Sequence, residues 1–504
     1  MIYIILILLL VICLLINKLI YSFKDPPGPI GIPFIGIFPV VLFKKLFRIK
    51  SNENKFFMEM HKIYGNIWSF RIINQRYVVL GAPELQTKAF KHSGMTLSGR
   101  PLTELYKYVS KRRGVLSSDG QIWVLYRKLT TKALHEISHK TRGFEDVITE
   151  NIKLLLNYID RNPDSIRTSN LFHSMTLTII FKIVFNIDTD FDDEKIKKYI
   201  KNVQIITSSN LTFSNAVFPL TNVPLLKYCV PSVLRIKKAM DNNVNILTEL
   251  WKESKENCET NELESSSIGE FYLKQLQLTK VYEEEHQHLN DMNFIRNFSD
   301  IVGAGSDTVA ATLAWCCLLL ADRVKIQNKL RSEINEFVEV KSVIFFSYSD
   351  KSQLPYLCSF IEEVHRYFTI IPRTVHRPMK NLIFHGYKLL ENDIILGDSY
   401  TSNHNADIWP NADKFIFDRF VENKGEKIKH LQENFYPFGT GKRNCIGESL
   451  ARKEVLLTLV ALICHYKIEL TNESKLNFEE ILNGENGLVF APFCHNLKFS
   501  RISN

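Results

Sequence analysis

One window near the C-terminus, Phe438 to Gly447, constrains this chain more than any other feature. It reads Phe-Gly-Thr-Gly-Lys-Arg-Asn-Cys-Ile-Gly. The spacing Phe-x-x-Gly-x-Arg-x-Cys-x-Gly describes a tight loop that delivers one cysteine to the start of a helix. Gly441 permits the turn. Gly447 and the backbone after Cys445 open a helix whose N–H groups point at the sulfur and stabilise negative charge there. A thiolate held in this way is a soft, strongly donating axial ligand for haem iron. Arg443, two residues before it, is then placed to reach a haem propionate, and Phe438 to shield the proximal side from water. A lone cysteine is ordinarily a small buried hydrophobe. Five fixed positions in one window argue against that reading here.

The stretch from Asn293 to Asp322 reads as a long apolar helix. Asp300, Ala304 and Thr308 recur at i, i+4 and i+8 and share a face. Gly303-Ala304-Gly305 sits in its interior, where each Gly costs roughly 1 kcal/mol relative to Ala. Small residues let a flat group come close to the backbone, which suits the distal face of a haem. Thr308 can hydrogen-bond back to the Ala304 carbonyl and loosen the helix locally. Together with Asp307 it offers a hydroxyl and a carboxylate for proton delivery. The plainer reading is a kinked helix with a satisfied Thr and a surface Asp.

These residues resemble the haem-binding loop and distal helix of the cytochrome P-450 family, the haem-thiolate monooxygenases. Further motifs fall in family order. Trp123-x-x-x-Arg127 is similar to a haem-contacting helix, Glu363-Val364-His365-Arg366 to the Glu-x-x-Arg helix, and Phe415 to Phe420 to a Phe-x-Pro-Glu-Arg-Phe segment. In the last of these, Phe417 and Asp418 stand where Pro and Glu are usual. The match runs from Pro26 to Phe499 and points to the eukaryotic microsomal type. It implies Cys445 as metal ligand, with Arg443, Phe438, Trp123, Arg127, His376 and Ala304 around the haem and Thr308 and Asp307 as the catalytic pair. Arg377 is the alternative to His376 at a propionate. Glu363, Arg366 and Arg419 are implied to be structural. The substrate-contacting segments implied are Val109 to Leu116, Ile205 to Phe218, Ile370-Ile371 and Val489-Phe490.

With 504 residues, 45% of them hydrophobic and 12% aromatic, the chain can bury a large core, which excludes disorder as a class. Its nine cysteines show no Cys-x-x-Cys spacing, so neither a zinc ribbon nor a disulfide framework is indicated. The net charge of +9 suits an anionic membrane face or an acidic protein partner. Nucleic acid is not expected, since no basic cluster with a matching fold is visible. Met1 to Ile16 is unbroken apolar sequence, and as a helix through Tyr21 it spans about 30 Å. Lys18, Lys24, Lys44, Lys45 and Arg48 follow it, which favours a cytoplasmic catalytic domain, and neither a basic n-region nor a small-residue cleavage site supports a cleaved signal.

The expectation is therefore a mostly α fold with a small β region, as in the cytochrome P-450 fold. Residues 1–21 form a membrane anchor helix, 22–45 a Pro-rich connector and 46–504 a single large catalytic domain. Tyr77 to Leu80 reads as strand, Val147 to Glu339 as mostly helical, and Leu382 to Leu396 as hairpin strands. The function implied is monooxygenation of a small apolar organic substrate by dioxygen, in the endoplasmic reticulum membrane as a single-pass protein. No flavin or dinucleotide fingerprint is present, so electrons come from a separate NADPH-dependent cytochrome P-450 reductase, with cytochrome b5 as a further donor. Lys128, Lys132, Lys442 and Lys453 are candidates for docking it. Two rivals stay open: a haem-thiolate isomerase or dehydratase acting on peroxides, and a non-catalytic haem protein.

Overall fold

The computed structural model describes residues 25–502 except 33–35, 38–52, 74, 103–106, 108–109, 140–142, 208–230, 258–264, 279–288, 342–345, 422–430 and 432. The anchor segment, most of the connector and most of the stretch Ile205 to Phe218 lie outside the described residues. The architecture is mostly helical with small sheets. Helix α1 (Glu53–Tyr64) precedes strands β1 (Ile67–Ile72) and β2 (Gln75–Leu80). Then come α2 (Gly120–Ser138), α3 (Phe144–Arg161), β3 (Ile166–Arg167), α4 (Thr168–Phe185), α5 (Glu194–Thr207), α6 (Pro231–Glu256) and α7 (Ile268–Leu278). Helices α8 (Asp291–Asp322), α9 (Val324–Lys341) and α10 (Pro355–Phe368) lead to β4 (Arg373–His376), β5 (Leu382–Phe384), β6 (Tyr387–Leu389) and β7 (Ile394–Asp398). The chain closes with α11 (Glu448–His465), β8 (Tyr466–Leu470) and β9 (Asn496–Arg501).

Helix α8 is the axis of the core. Asn290 caps it, its side-chain oxygen accepting from Asn293 N at 3.0 Å. From Val309 to Ala321 every residue is buried, and Trp315 and Cys316 are fully covered. By length and hydropathy α8 could cross a membrane, yet 83% of its apolar window is buried within the protein, so it is a core helix. Its closest neighbour is α4, which is hydrophobic around most of its circumference and buries Phe172, Met175, Ile179 and Val184. Gly305 belongs to this packing: a Cβ there would touch Ile180 at 3.4 Å. Such a contact is ordinary, so this glycine faces α4 without being required by it.

The four-stranded sheet has the order β1-β2-β7-β4. Tyr77 to Leu80 is strand as expected, and β1 and β2 pair antiparallel, with Tyr77 opposite Phe70 and their rings stacked 4.9 Å apart. Strand β7 joins β2 in parallel, with Val78 opposite Ile395. The expected hairpin of Leu382 to Leu396 therefore splits. Strands β5 and β6 form a hairpin of their own, while Ile394 and Ile395 enter the larger sheet, where all of β7 is buried. The described part of the connector lies along β1: Ser69 N donates to Pro27 O at 2.7 Å, and Ile37 N to Arg71 O at 2.9 Å. Gly28 fits there because a Cβ would fall 1.7 Å from Ser69 O.

Candidate active site

Helix α11 begins just past Cys445, capped by Gly447. The loop before it turns twice in the left-handed region, at Gly439 (φ 74°) and Gly441 (φ 80°). Gly441 is required for a second reason, since a Cβ there would lie 1.9 Å from Phe90 O. Its close approach is to the 88–92 segment. Cys445 N donates to Phe438 O at 2.9 Å, which closes the loop. Burial pushes the Cys445 thiol above its ordinary range, and Glu448 adds to this. The Gly447 N–H and the Arg127 guanidinium oppose both, and these groups favour a thiolate.

Around this loop the structure gathers most of the expected residues. Arg127 on α2 donates Nη1 to Asn444 O at 2.9 Å and its other terminal nitrogen to the Asn444 side chain, which fixes the residue next to Cys445. Arg443 donates to the carbonyls of Ser98 (2.8 Å), Val115 (3.0 Å) and Ser118 (2.7 Å). Its guanidinium lies 4.1 Å from the Trp123 ring centre. Arg443 thus knits the 98–118 segment to the cysteine loop as well as bringing charge to the site. Phe438 packs edge-on to His365, with Arg452 over its face.

His376, the last residue of β4, is buried and stacks on Phe90 with ring centres 4.0 Å apart. Burial lowers its pKa well below the usual value, and the charges of Arg100 and Arg443 add to that. Among the described residues its Nδ1 and the indole Nε1 of Trp123 are buried without hydrogen-bond partners. The neighbouring Arg377 is committed elsewhere, donating to Asp119 Oδ2 at 3.0 Å and to Arg100 O at 2.9 Å. Of the two candidates for a propionate, only His376 keeps a nitrogen to offer.

Asp119 is a residue that sequence reasoning missed. It receives Arg112, Arg377 and Arg443 and accepts from the Arg100 backbone N–H at 2.8 Å. In sequence it shows only as an Asp before a helix start, the ordinary signature of an N-cap. Arg100 was missed as well, and its charge sits beside His376.

On the distal helix, Thr308 Oγ1 donates to Ala304 O at 2.8 Å, the back-bond expected of it. Asp307 turns the other way. Its Oδ1 meets His173 Nε2 on α4 at 2.9 Å, while Oδ2 is buried without a partner among the described residues. Burial lowers the His173 pKa, but the hydrogen bond and charge of Asp307 outweigh it, so the net direction is upward. His173 was also missed. Asp300, on the Thr308 stripe, accepts from Leu116 N at 2.8 Å, and burial pushes it up to about 7.

Glu363 is fully buried and accepts from Arg366 (2.8 Å through both oxygens), Arg419 Nε (2.9 Å) and Ile416 N (2.8 Å). The turn containing the atypical Phe417 and Asp418 is intact, with Arg419 N bonded to Ile416 O at 3.0 Å. This triad touches backbone carbonyls and lies outside the chemistry.

A haem is a flat dianion at one edge and needs a thiolate below and donors at its rim. The residues present fit it: a loop cysteine facing backbone N–H and Arg127, unpartnered Trp123 and His376 nitrogens, and the nearby charges of Arg100 and Arg443. Fold and site together define a haem-thiolate enzyme. The chain belongs to the cytochrome P-450 family, whose model matches residues 26–498. It is similar to cytochrome P-450 2U1 of Homo sapiens, 25% identical over 94% of this chain and 89% of that protein. It is also similar to cytochrome P-450 2C3 of Oryctolagus cuniculus (26%, covering 94% of each) and 1A1 of Rattus norvegicus (25%, covering 90% and 86%). The chain is thus a eukaryotic cytochrome P-450 of the microsomal type, a monooxygenase that uses a cysteine-ligated haem.

Proposed function

We propose that Cys445 supplies the haem ligand and that this chain oxidises a small, mainly apolar substrate with electrons from a separate reductase. The observation that carries this is the pinned Cys445, with its N–H closed onto Phe438 O at 2.9 Å and the Arg127 charge beside it. When bound, the haem supplies dioxygen activation, and its thiolate ligand favours O–O cleavage. The protein's part is positional. Arg127, through Asn444, holds the cysteine loop in place, and Trp123 and His376 offer nitrogens to the propionates. Ala304 keeps the distal surface low, Thr308 holds a proton at its hydroxyl, and Asp307 with His173 forms the reservoir behind it. Residues 1–21 read as the anchor that places residues 46–504 at the endoplasmic reticulum membrane with 22–45 as the connector.

A groove of about 990 Å³ beside α2 has a mainly apolar lining that includes Met95, Trp123 and Phe271, with Arg127, Lys128, Lys132 and Lys442 around it, a basic rim suited to an acidic reductase or cytochrome b5. Lys453 does not line it and pairs with Glu145 at 3.3 Å. Reduced protein with carbon monoxide should give the red-shifted band of a thiolate-ligated haem, and Cys445→Ala should abolish it. A band that survives Cys445→Ala but is lost in Cys464→Ala would overturn the assignment. Turnover that requires reduced pyridine nucleotide and dioxygen separates a monooxygenase from a peroxide isomerase.

A further inference from the structure

Some buried polar atoms without partners in this region are accounted for by the haem and by proton delivery: Trp123 Nε1, His376 Nδ1 and Asp307 Oδ2. Arg296 is not. It lies on α8 three turns before Thr308 and is 6% exposed. Among the described residues neither its Nε nor its Nη1 has a hydrogen-bond partner. Among the described residues the one acid within 4 Å is Asp241 on α6, with Oδ1 3.9 Å from Arg296 Nη2, and Asp241 is already paired with Lys237. Burial draws the Arg296 pKa down, with Asp241 and Asp300 opposing and Arg113 adding to the fall. Arginine nevertheless stays charged at any working pH. A buried guanidinium with two idle donors is costly unless something meets it.

The elements around Arg296 lead along α8 to Thr308. Positions 296, 300, 304 and 308 succeed one another at four-residue spacing, a stripe that slants around α8 and ends at Thr308. The turn from Arg296 to Asp300 faces the 114–116 segment: Val115 N donates to Asn297 Oδ1 at 2.9 Å and Leu116 N to Asp300 Oδ2 at 2.8 Å. A Cβ on Gly114 would lie 3.0 Å from Arg296 O. Helix α6 closes the other side through Asp241. Asp300 is held by Leu116 N, and its attraction for Arg296 only partly offsets the burial of that guanidinium.

We propose that Arg296 anchors the carboxylate head of an otherwise apolar substrate, by donating from a guanidinium edge that no described residue meets. This rests on the monooxygenase reading and narrows its substrate class. The twelve residues from Arg296 to Thr308 span about 18 Å of helix axis, so the acid needs an extended apolar body to reach the level of Thr308. A guanidinium charge with a free N–H on each edge attracts an anionic carboxylate in a way that a neutral ester or alcohol cannot reproduce.

The test is a binding titration of purified, haem-loaded protein with dodecanoate, methyl dodecanoate and dodecanol. It is read by the ferric absorption change and, independently of the haem, by equilibrium dialysis of labelled ligand. Dodecanoate should bind wild type on the order of 10- to 100-fold more tightly than the ester or alcohol, the equivalent of one charged hydrogen-bonded contact. Arg296→Gln should remove that preference while leaving ester affinity unchanged, and Arg296→Lys should keep part of it. Equal affinity of wild type for acid and ester overturns the proposal, as does an equal loss for both ligands in Arg296→Gln. If Arg296→Gln does not fold, wild type and Arg296→Lys still decide the matter. A normal carbon monoxide band with no acid preference counts against Arg296 alone, whereas absence of that band in wild type counts against the haem-thiolate reading.

Discussion

Replacing Glu363 by Gln keeps the size of the side chain and removes only its charge and one acceptor oxygen. The buried carboxylate uses both oxygens twice: Oε1 for Arg366 Nη2 and Ile416 N, Oε2 for Arg366 Nε and Arg419 Nε. Whichever way the new amide is turned, its NH₂ faces two donors. Two hydrogen bonds to a charged group are lost at about 1.5–3 kcal/mol each, so the loss is roughly 3–6 kcal/mol. Breaking one side of a buried ion pair costs about 3–5 kcal/mol, which agrees. Domain stabilities are only about 5–15 kcal/mol, so a third or more of the total is at stake.

The damage should be local at first. Arg366 also holds the carbonyls of Asn403, Ala412 and Lys414, each at 2.9 Å, and Arg419 holds Pro410 O at 2.7 Å. Loosening them frees the segment that leads into the cysteine loop. The expected outcome is a variant with a large fall in unfolding midpoint and in haem per protein, measured by thermal circular dichroism and by haem extraction. Normal midpoint and haem content with turnover abolished would refute this reasoning and make Glu363 catalytic.

Thr308→Val should keep haem content and fold, because among the described residues the hydroxyl bonds only to Ala304 O on its own helix. Coupling should fall, with less product and more hydrogen peroxide per reducing equivalent; loss of a positioned acid–base group costs about 10²–10⁴-fold in the assisted step. Unchanged coupling across several substrates would reduce Thr308 to a packing residue. The His173–Asp307 pair predicts a pH signature in stability. The folded pKa of His173 lies above its unfolded value, so its contribution is full below about 6.5 and is lost as pH rises through the folded pKa. His173→Gln should therefore lower the unfolding midpoint more at pH 5.5 than at pH 9, and a pH-independent loss would mean that the pair is not ionised as described.

What the sequence determined by itself was the chemistry that lies close along the chain. The glycine-flanked Cys445, the Thr308 back-bond to Ala304 and the Glu363–Arg366 pair each join residues within one turn or one loop, where spacing fixes geometry. The mostly helical class was legible for the same reason, since burial periodicity is a local property. Only the tertiary structure decided which buried surface meets which. Asp307 was legible as an acid beside Thr308, but its partner His173 is 134 residues away on α4. Arg377 and His376 are adjacent in sequence, yet β4 sends one to Asp119 and buries the other on Phe90. Ile394 and Ile395 read as hairpin strand, whereas their pairing with β2 is a parallel contact across most of the chain. Periodicity states that a face is covered and carries no record of what covers it, so the Asp119 cluster, the partner of Gly305 and the idle donors of Arg296 became visible only once the chain was folded.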